Sequence, residues 1–333
     1  MKRTDLLSII SPLPPSVGGH IMLEANGKTI TATSSNESVS VSLSTTYDDK
    51  PFSICPNQEK LKAALIGLTG DVVKLAVGES LTVTAKGQRT VQCASRDSFP
   101  KVAGVKGDAV IIDGAGLKQA IMFVRGAAYA GIDKPMIAGV HINGRDVVAS
   151  NGHSMRLIEI AESLPTVTLP SASAVLLARV IPDGEVAVRA DERRIQLSWP
   201  SGSVITGLAP VGFPAVYRRL LSDWSGEALS FAADELSRAV SAVSAFTDGK
   251  TRPIYINCGK DVTLSCADAV EPLDMVSMKS APRKILLAGV LLAEMLGAYG
   301  KEDVAVTLKP GDTDPLMFKD AAGRMGILLP MRQ

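Results

Sequence analysis

The sequence predicts an α+β protein built from three tandem copies of one domain. The first observation is an internal repeat, in which two segments return in the same order: 175–179 as 290–294, and 185–188 as 303–306. Pro135 and Pro253 are 118 positions apart, as are the starts of the second pair of segments. The second observation is that each copy alternates short strand-like and helix-like segments. A period of this length is typical of a whole domain rather than of one solenoid unit.

The repeat sets the predicted domain boundaries at 1–107, 108–224 and 225–333. A length of 333 residues alone would favour two domains of about 150 residues each, so the repeat decides the number. The junctions near 106–110 and 222–227 are short and carry Gly, Ser and Asp. Each predicted domain is long enough to bury its own hydrophobic core.

Each domain is predicted to consist of two βαβββ halves, which the second copy shows most clearly. Its first half indicates a strand at 109–112, a helix over 117–128, and strands at 140–142, 147–149 and 156–160. An Asn-Gly pair within 143–146 predicts a hairpin turn between the middle two strands. Its second half indicates a helix over 171–180 and strands at 185–190, 194–199 and 203–208.

The third copy repeats this plan, and the first copy departs from it most. In the third copy, apolar residues at helical spacing predict a helix over 236–243. In the first copy, a helix over 61–68 and a hairpin from 73–77 and 81–84 are visible. Its opening half is degraded, because prolines between 12 and 15 end the first helix early.

Charge and cysteine content exclude several classes of protein. Lys and Arg number 35 against 34 Asp and Glu, and this net charge of +1 excludes a nucleic-acid binder held by bulk electrostatic attraction. Four scattered cysteines and three histidines predict a reduced chain without a metal site or cofactor. The sequence has no signal-peptide pattern and no apolar run long enough to span a bilayer, which predicts a cytoplasmic protein without membrane contact.

We predict that the protein is not an enzyme, because the sequence contains none of the common phosphate-loop, metalloprotease or serine-hydrolase motifs. His153 is the histidine in the most distinctive setting, within Asn-Gly-His-Ser. Acid–base chemistry with Ser150 or Ser154 is the alternative function for this segment. We interpret His153 as a binding or structural residue, because no acidic partner lies near it in the sequence.

The last residues of the chain keep an apolar character that chain ends seldom have. Ile327 and Leu328 are predicted to complete a strand. Pro330 cannot extend a ladder and Met331 is an adaptable apolar side chain, so both are predicted to line a groove.

Several motifs in the same order resemble those of the bacterial DNA polymerase III beta subunit, the sliding-clamp family. Residues 133–140 resemble the family's R-P-x-L-x-G-V segment, 150–155 its T-D-G-H-R-L loop, and 329–333 its M-P-M-R-L ending. Two further segments, Phe99-Pro100 and 212–219, resemble the F-P segments that close the first two domains. The resemblance covers nearly the whole chain, and the sequence resembles a divergent member of the family.

The resemblance implies three DNA-clamp domains that form an arc, with two arcs closing head to tail into a homodimeric ring. Such a ring is a processivity factor for DNA replication that encircles duplex DNA without reading its sequence. Candidate DNA-facing residues on the helices, for which solvated surface charge is the alternative, are Lys60, Lys62, Lys118, Arg125, Arg179 and Arg238.

The resemblance also implies a groove that captures Q-L-x-L-F type peptides of DNA polymerase III and clamp-loader subunits. An apolar pocket containing Met accepts Leu and Phe anchors, while Arg and His side chains hold polar groups. The matching positions are Ile137, Ser150, Gly152, His153, Met155, Pro214, Arg219, Leu220, Ile327, Leu329, Pro330, Met331 and Arg332. Core packing is the alternative for Ile137 and Leu220.

Two departures from the family pattern bear on function. Ser150, Asn151, Ser154 and Gln333 replace the usual Thr, Asp, Arg and Leu, which predicts a different peptide preference. The predicted dimer-interface residues are Arg89, where the family often has an aromatic residue, and Phe246, for which core packing is the alternative. The alternative function is therefore a clamp-like peptide-binding adaptor that does not close around DNA.

Overall fold

The computed structural model describes residues 1–36, 38–222, 224, 226–259, 261–273 and 283–332. Ser225, the predicted start of the third domain, and Gln333 lie outside the described residues. The helices are α1 (Arg3–Ile10), α2 (Gln58–Gly67), α3 (Gly114–Val124), α4 (Ser171–Val180), α5 (Tyr217–Leu221), α6 (Ala233–Ser244) and α7 (Gly289–Gly297). Short 3-10 helices span Val17–Gly19, Arg96–Ser98, Arg125–Ala127 and Pro135–Ile137.

The strands are short apart from two long ones in the middle of the chain. They are β1 (Met22–Ala25), β2 (Thr29–Ser35), β3 (Val39–Thr46), β4 (Phe52–Pro56), β5 (Lys74–Val77), β6 (Ser80–Thr84), β7 (Gln88–Ala94), β8 (Val110–Asp113), β9 (Gly139–Ser150), β10 (Ser154–Pro170), β11 (Glu185–Ala190), β12 (Arg194–Trp199), β13 (Gly202–Gly207), β14 (Glu227–Ala232), β15 (Pro253–Cys258), β16 (Val262–Ser265), β17 (Val270–Leu273), β18 (Arg283–Ala288), β19 (Asp303–Leu308), β20 (Leu316–Asp320) and β21 (Met325–Leu328).

The chain divides into two compact units, Met1–Ala115 with Leu176–Leu208, and Gly116–Val175 with Ala209–Gln333. In the part of the chain described, the first unit holds a sheet ordered β5-β6-β7-β4-β1-β2-β3-β13-β12-β11-β8. The second unit holds a sheet ordered β14-β19-β20-β21-β10-β9 and a smaller one ordered β17-β16-β15-β18. The α+β fold class is confirmed, and the domain boundaries after residues 107 and 224 remain a prediction.

The predicted βαβββ half recurs along the chain. It appears as β4-α2-β5-β6-β7, as β14-α6-β15-β16-β17 and as β18-α7-β19-β20-β21. The opening half of the first copy has α1 followed by β1, β2 and β3. In place of a preceding strand it has a single bridge between Lys2 and Val72. As predicted, α1 ends before Pro12.

Local sequence explains why the helices form where they do, as α2 illustrates. The Asn57 side chain accepts a hydrogen bond of 3.0 Å from the backbone N–H of Lys60, which caps the helix N-terminus. Leu61, Ala64 and Leu65 are buried on one face at helical spacing. The predicted helix over 61–68 is therefore confirmed, and it ends at Gly67.

The predicted hairpin turn at 143–146 is wrong. The strand β9 runs through these residues and pairs with β10, with Gly144 opposite Leu164. The register shifts between Glu159 and Leu164, and Gly144 has a φ of 64°. An Asn-Gly pair favours a turn because Gly adopts positive φ readily, but here that conformation serves an irregularity within a continuous strand.

The turn between these two strands lies at 151–153 instead. The Asn151 side chain accepts hydrogen bonds from the backbone N–H groups of His153, at 2.9 Å, and Ser154, at 2.7 Å. This is the local side-chain bonding that makes Asn a frequent turn residue. The turn presents Gly152 and His153 at the surface.

A buried arginine fixes β10 within the second unit. Arg156 is 6% exposed and donates to the carbonyl of Phe123 at the end of α3, at 3.1 Å, and to that of Glu294 in α7. A cation near helix C-termini is stabilised by the partial negative charge there. Burial lowers the pKa of Arg156 below its usual range.

None of the helices described is long and apolar enough to cross a membrane. In the same residues, no group of three or more His, Cys, Asp or Glu side chains could hold a metal ion.

Candidate functional site

The predicted groove residues meet in the second unit around one apolar cluster. We call it the groove cluster; its buried members are Val148, Met155, Leu157, Phe213, Tyr217 and Ile327, with Ile137, Leu221, Trp224 and Met325 packed against them. Met155 is 4% exposed and Ile327 is 3% exposed, so these two form a floor. The groove cluster thus joins three segments that are far apart in the chain.

Strand pairing brings the segments together. β10 lies between β9 and β21, and Met155 is paired with Ser150 on one side and Ile327 on the other. Beyond β21, the backbone N–H of Leu329 donates to the carbonyl of His153 at 2.9 Å. Two residues later, the N–H of Met331 donates to the carbonyl of Leu286 in β18 at 2.8 Å. The chain end therefore passes from the larger sheet of the second unit to the smaller one.

The exposure of the predicted groove residues separates a floor from a rim. The buried members are Met155 and Ile327. The half-buried members are Ile137, Ser150, Pro214, Pro330 and Met331. The exposed members are Gly152, His153, Arg219, Leu220, Leu329 and Arg332. Leu220 is 43% exposed, which makes core packing the wrong alternative for it, whereas Ile137 packs against the groove cluster.

The turn at 151–153 lies against Ile137. Gly152 has a φ of 88°, and a Cβ atom added there would be 3.8 Å from Cδ1 of Ile137. The backbone N–H of Tyr129 holds the same region by donating to the carbonyls of Ile137, at 3.0 Å, and Ser150, at 3.1 Å. One side of the groove is therefore built from two segments, 129–137 and 150–153.

The helix α5 also packs on the groove cluster through Tyr217 and Leu221, and it is anchored by polar contacts. The Tyr217 hydroxyl donates to Asp146 at 2.7 Å, and the Arg218 guanidinium lies 2.9 Å from the same carboxylate. At the other end of the helix, the Trp224 indole N–H donates to the carbonyl of Leu220 at 2.6 Å. These contacts leave Arg219 exposed at the surface.

The rings of His141 and Phe213 both pack edge-on against Tyr217 of this helix. His141 is 5% exposed and stacks on Phe213, with ring centroids 5.0 Å apart and planes 9° apart. Its Nδ1 lies 3.0 Å from the Thr168 hydroxyl. Burial is the largest influence on the pKa of His141 and places it below the usual 6.5.

Acidification is expected to destabilise the protein in part through His141. Because its pKa is lowered by folding, the unfolded chain binds more protons below about pH 6.5, so stability falls as pH drops through that value toward the folded pKa. Between about pH 7.5 and about pH 5, we expect the free energy of unfolding of a His141→Phe variant to fall by less than that of the parent. Urea unfolding of both proteins at the two pH values measures this, and equal losses would contradict it.

The predicted DNA-facing residues lie on helices or next to them. Lys60 and Lys62 lie on α2, Lys118 on α3, Arg179 on α4, Arg238 on α6, and Arg125 directly follows α3. Lys62 and Lys118 are half-buried, and the other four are exposed. Arg238 lies 3.8 Å from Glu235, an exposed ion pair of the kind that contributes little to stability.

The predicted dimer-interface residues are both exposed. Arg89 lies on β7, opposite Val83 of β6. Phe246 follows α6 and is 61% exposed, so core packing is the wrong alternative for it. Its backbone carbonyl lies 4.0 Å from the Cys266 thiol.

The geometry does not favour the enzyme alternative. The Ser150 hydroxyl donates to the carbonyl of Ser154 at 2.8 Å, and it accepts from the N–H of Gly152 at 3.1 Å. The backbone contacts of His153 go to Asn151 and Leu329. The Ser150 proton is thus engaged by a backbone carbonyl in the turn.

Comparison with known proteins decides the fold. No protein-family model matches the sequence, and no curated protein matches it. Solved structures of DNA polymerase III subunit beta match all of it. The sliding clamp of Bartonella birtlesii bound to griselimycin superposes with a TM-score of 0.90 at 17% identity, over 100% of this chain and 99% of that one. The chain has the sliding-clamp fold.

Two further clamps give the same result. The beta subunit from DNA polymerase of Streptococcus pyogenes has a TM-score of 0.89 at 20% identity, over 100% of this chain and 99% of that chain. The griselimycin-bound clamp of Pseudomonas aeruginosa has a TM-score of 0.88 at 20% identity, over 100% and 98%. The predicted clamp fold is confirmed.

The clamp fold places residues at the groove that the sequence did not indicate. Leu286 joins the chain end through its carbonyl, and Asp146 anchors α5. Asp146 lay in the segment misread as a turn. Nothing in the local sequence of Leu286 marks it, because its role depends on pairing with residues more than forty positions away.

Proposed function

We propose that this protein is a DNA sliding clamp, a ring-shaped processivity factor that encircles duplex DNA and tethers a replicative polymerase. The observation that carries the proposal is the clamp fold over the whole chain, with TM-scores of 0.90, 0.89 and 0.88 to three clamps. The meeting of 150–155, 212–221 and 327–332 at one groove supports it further. We propose that the protein acts without catalysis, in the cytoplasm.

The groove suits a short peptide with apolar anchors. Met155 and Ile327 provide a buried floor, and Leu220 and Leu329 provide exposed apolar edges. Arg219 on α5 adds a charged donor for backbone or side-chain oxygens of the peptide. Buried apolar anchors inside a polar rim are the usual source of affinity in such sites. We propose that DNA polymerase III and clamp-loader subunits bind here through Q-L-x-L-F type segments.

The charge of the protein fits a DNA contact that is weak. A net charge of +1 provides little long-range attraction to phosphate, and the exposed cations on the helices are few and scattered. A ring needs no tight contact, because its topology retains it on DNA. Weak contacts also leave the protein free to slide.

Two open strand edges support assembly from two copies. Among the described residues, 88–92 of β7 pair with β6, and β4 pairs with β7 at Cys93 and Ala94. The Asn57 N–H donates to the carbonyl of Gln92, so the open edge of β7 lies at 88–91. At the other site, β17 pairs with β16 alone among the strands of the described residues. An unpaired strand edge is a template for pairing with another chain. We propose that β7 of one copy pairs with β17 of the second.

A cleft beside β17 offers charge complementarity to Arg89 of the second copy. The cleft lies between α6 and β17, has a volume of about 340 Å³, and is lined by apolar residues including Leu236 and Leu273. Two acidic side chains, Glu235 and Glu271, and one basic side chain, Arg238, also line it and are exposed, so acidic groups are in excess. Arg89 thus replaces the aromatic contact of the family with a charged one, and Phe246 adds apolar area nearby.

Dimer formation is expected to depend on Phe246. Sedimentation equilibrium of the parent is expected to give about twice the 34.9 kDa of one chain. A Phe246→Asp variant places an unpaired charge in the interface and is expected to shift the mass toward that of one chain. Val175→Asp, on an exposed site of α4 at 48% exposure, is the matched control and should leave the mass unchanged. A parent that sediments as a single chain would favour the peptide-binding adaptor instead.

A further inference from the structure

The helix α5 carries the predicted groove residues Arg219 and Leu220 and is only 5 residues long. A helix this short has little stability of its own, because the cost of nucleation is not offset by further turns. The last carbonyl groups of a helix also have no partner within it. Contacts from outside α5 therefore decide how firmly Arg219 and Leu220 are held.

Trp224, which follows α5 in the chain, makes three such contacts. Its indole N–H donates to the carbonyl of Leu220 at 2.6 Å, and its ring packs against the groove cluster. Lys309 Nζ lies 4.6 Å from the centre of the same ring, a distance at which an ammonium group and an indole attract each other. Lys309 directly follows β19, so the Trp224 ring joins α5 to the groove cluster and to the end of a strand.

The two ends of α5 are held by aromatic side chains. At the start of the helix, the Tyr217 hydroxyl donates to Asp146 at 2.7 Å, and Tyr217 is buried. At the end, Trp224 is half-buried. The Ser222 hydroxyl also donates to the carbonyl of Arg219, at 3.0 Å, but Ser222 is exposed, so water competes for this bond. The last turn of α5 thus depends mainly on Trp224.

We propose that Trp224 is a positioning residue of the groove, which holds Leu220 and Arg219 in the conformation that binds the partner peptide. This inference rests on the proposed function. The side chains of Arg219 and Leu220 are exposed, so their own packing does little to fix them. Without the indole N–H, the last turn of α5 unwinds in part of the molecules, and the affinity falls with the fraction that remains competent to bind.

Removing the indole N–H while keeping an aromatic ring tests the proposal. We expect Trp224→Phe to bind a Q-L-x-L-F peptide about fivefold more weakly than the parent, which is the change in equilibrium that one hydrogen bond typically makes. Trp199→Phe is the matched control, because Trp199 is the other tryptophan of the chain, is also half-buried and lies on β12 in the first unit. It should leave the affinity unchanged. Fluorescence anisotropy of a labelled peptide measures both variants.

A double-mutant cycle with Leu220 shows whether Trp224 acts through α5. Leu220→Ala removes an apolar side chain but keeps the backbone carbonyl that accepts from Trp224. We expect Leu220→Ala to weaken peptide binding by a larger factor in the parent than in Trp224→Phe, because a side chain that is no longer held in place has less contact to lose. A role of Trp224 in general stability would not produce this coupling.

The possible results separate the inference from the proposed function. A Trp224→Phe variant that binds as the parent does, or equal losses from Leu220→Ala in the two backgrounds, would overturn the inference and leave the groove standing. Weaker binding that is explained by a lower midpoint of urea unfolding would assign the ring to general packing, which also overturns it. A parent that does not bind the peptide would overturn the proposed groove and the inference together.

Discussion

Replacing both Pro330 and Met331 with alanine is expected to abolish binding of Q-L-x-L-F peptides while the fold stays intact. Both side chains are half-buried beside the groove, and they supply apolar contacts for the peptide anchors. The hydrogen bond from Met331 to Leu286 comes from the backbone and survives the change. Truncating a hot-spot side chain costs about 2 kcal/mol or more, so if one of the two is a hot spot the affinity falls at least about 30-fold.

Fluorescence anisotropy of a labelled peptide measures this loss. Met122→Ala is the control, because Met122 is a methionine that lies on α3 outside the groove and is more exposed than Met331, at 49%. Urea unfolding should place the double variant within about 0.5 kcal/mol of the parent, as for surface changes in general. If the double variant binds the peptide as well as the parent does, the groove has been assigned to the wrong residues.

Much of the fold could be predicted because each βαβββ half has a strong local pattern. The helix predicted over 171–180 and the strands predicted at 185–190 and 194–199 have the observed bounds. The error at 143–146 has a local cause, since an Asn-Gly pair has the same positive-φ preference in a turn as in a bulged strand. Only pairing with β10 distinguishes the two.

The groove could be predicted as a set of segments, but the way they meet could not. The apolar chain end indicated a covered surface, and the structure covers it by pairing β21 with β10. The contacts of Leu286 and Asp146 depend on strand registers that span the second unit.

The second large effect that we expect is that the protein stays on circular DNA and is lost once the circle is cut. A ring leaves linear DNA by sliding off the ends but cannot leave a closed circle. High ionic strength separates this from ordinary binding, since at about 1 M salt the Debye length falls to about 3 Å and phosphate contacts are weakened steeply. Four of the six candidate DNA-facing cations are exposed, and one of these pairs with Glu235, so direct contacts cannot substitute for topology.

The retention experiment requires rings that have closed around DNA. Diluted protein is mixed with a nicked circular duplex and then concentrated, because mass action drives the copies to associate in its presence. Free protein is removed by gel filtration at about 1 M salt, where contact-based binding is weak. Phe246→Asp is the matched control, since it should fail to close and so fail to remain on the circle.

The most direct test of encirclement measures how much parent protein remains on the DNA before and after the circle is cut at a single site. A sliding clamp predicts protein that co-elutes with the circle at about 1 M salt and is lost once the DNA is linear, with retention at least about tenfold lower. Equal retention on circular and linear DNA, or a dimer that never remains on the circle, would contradict the account.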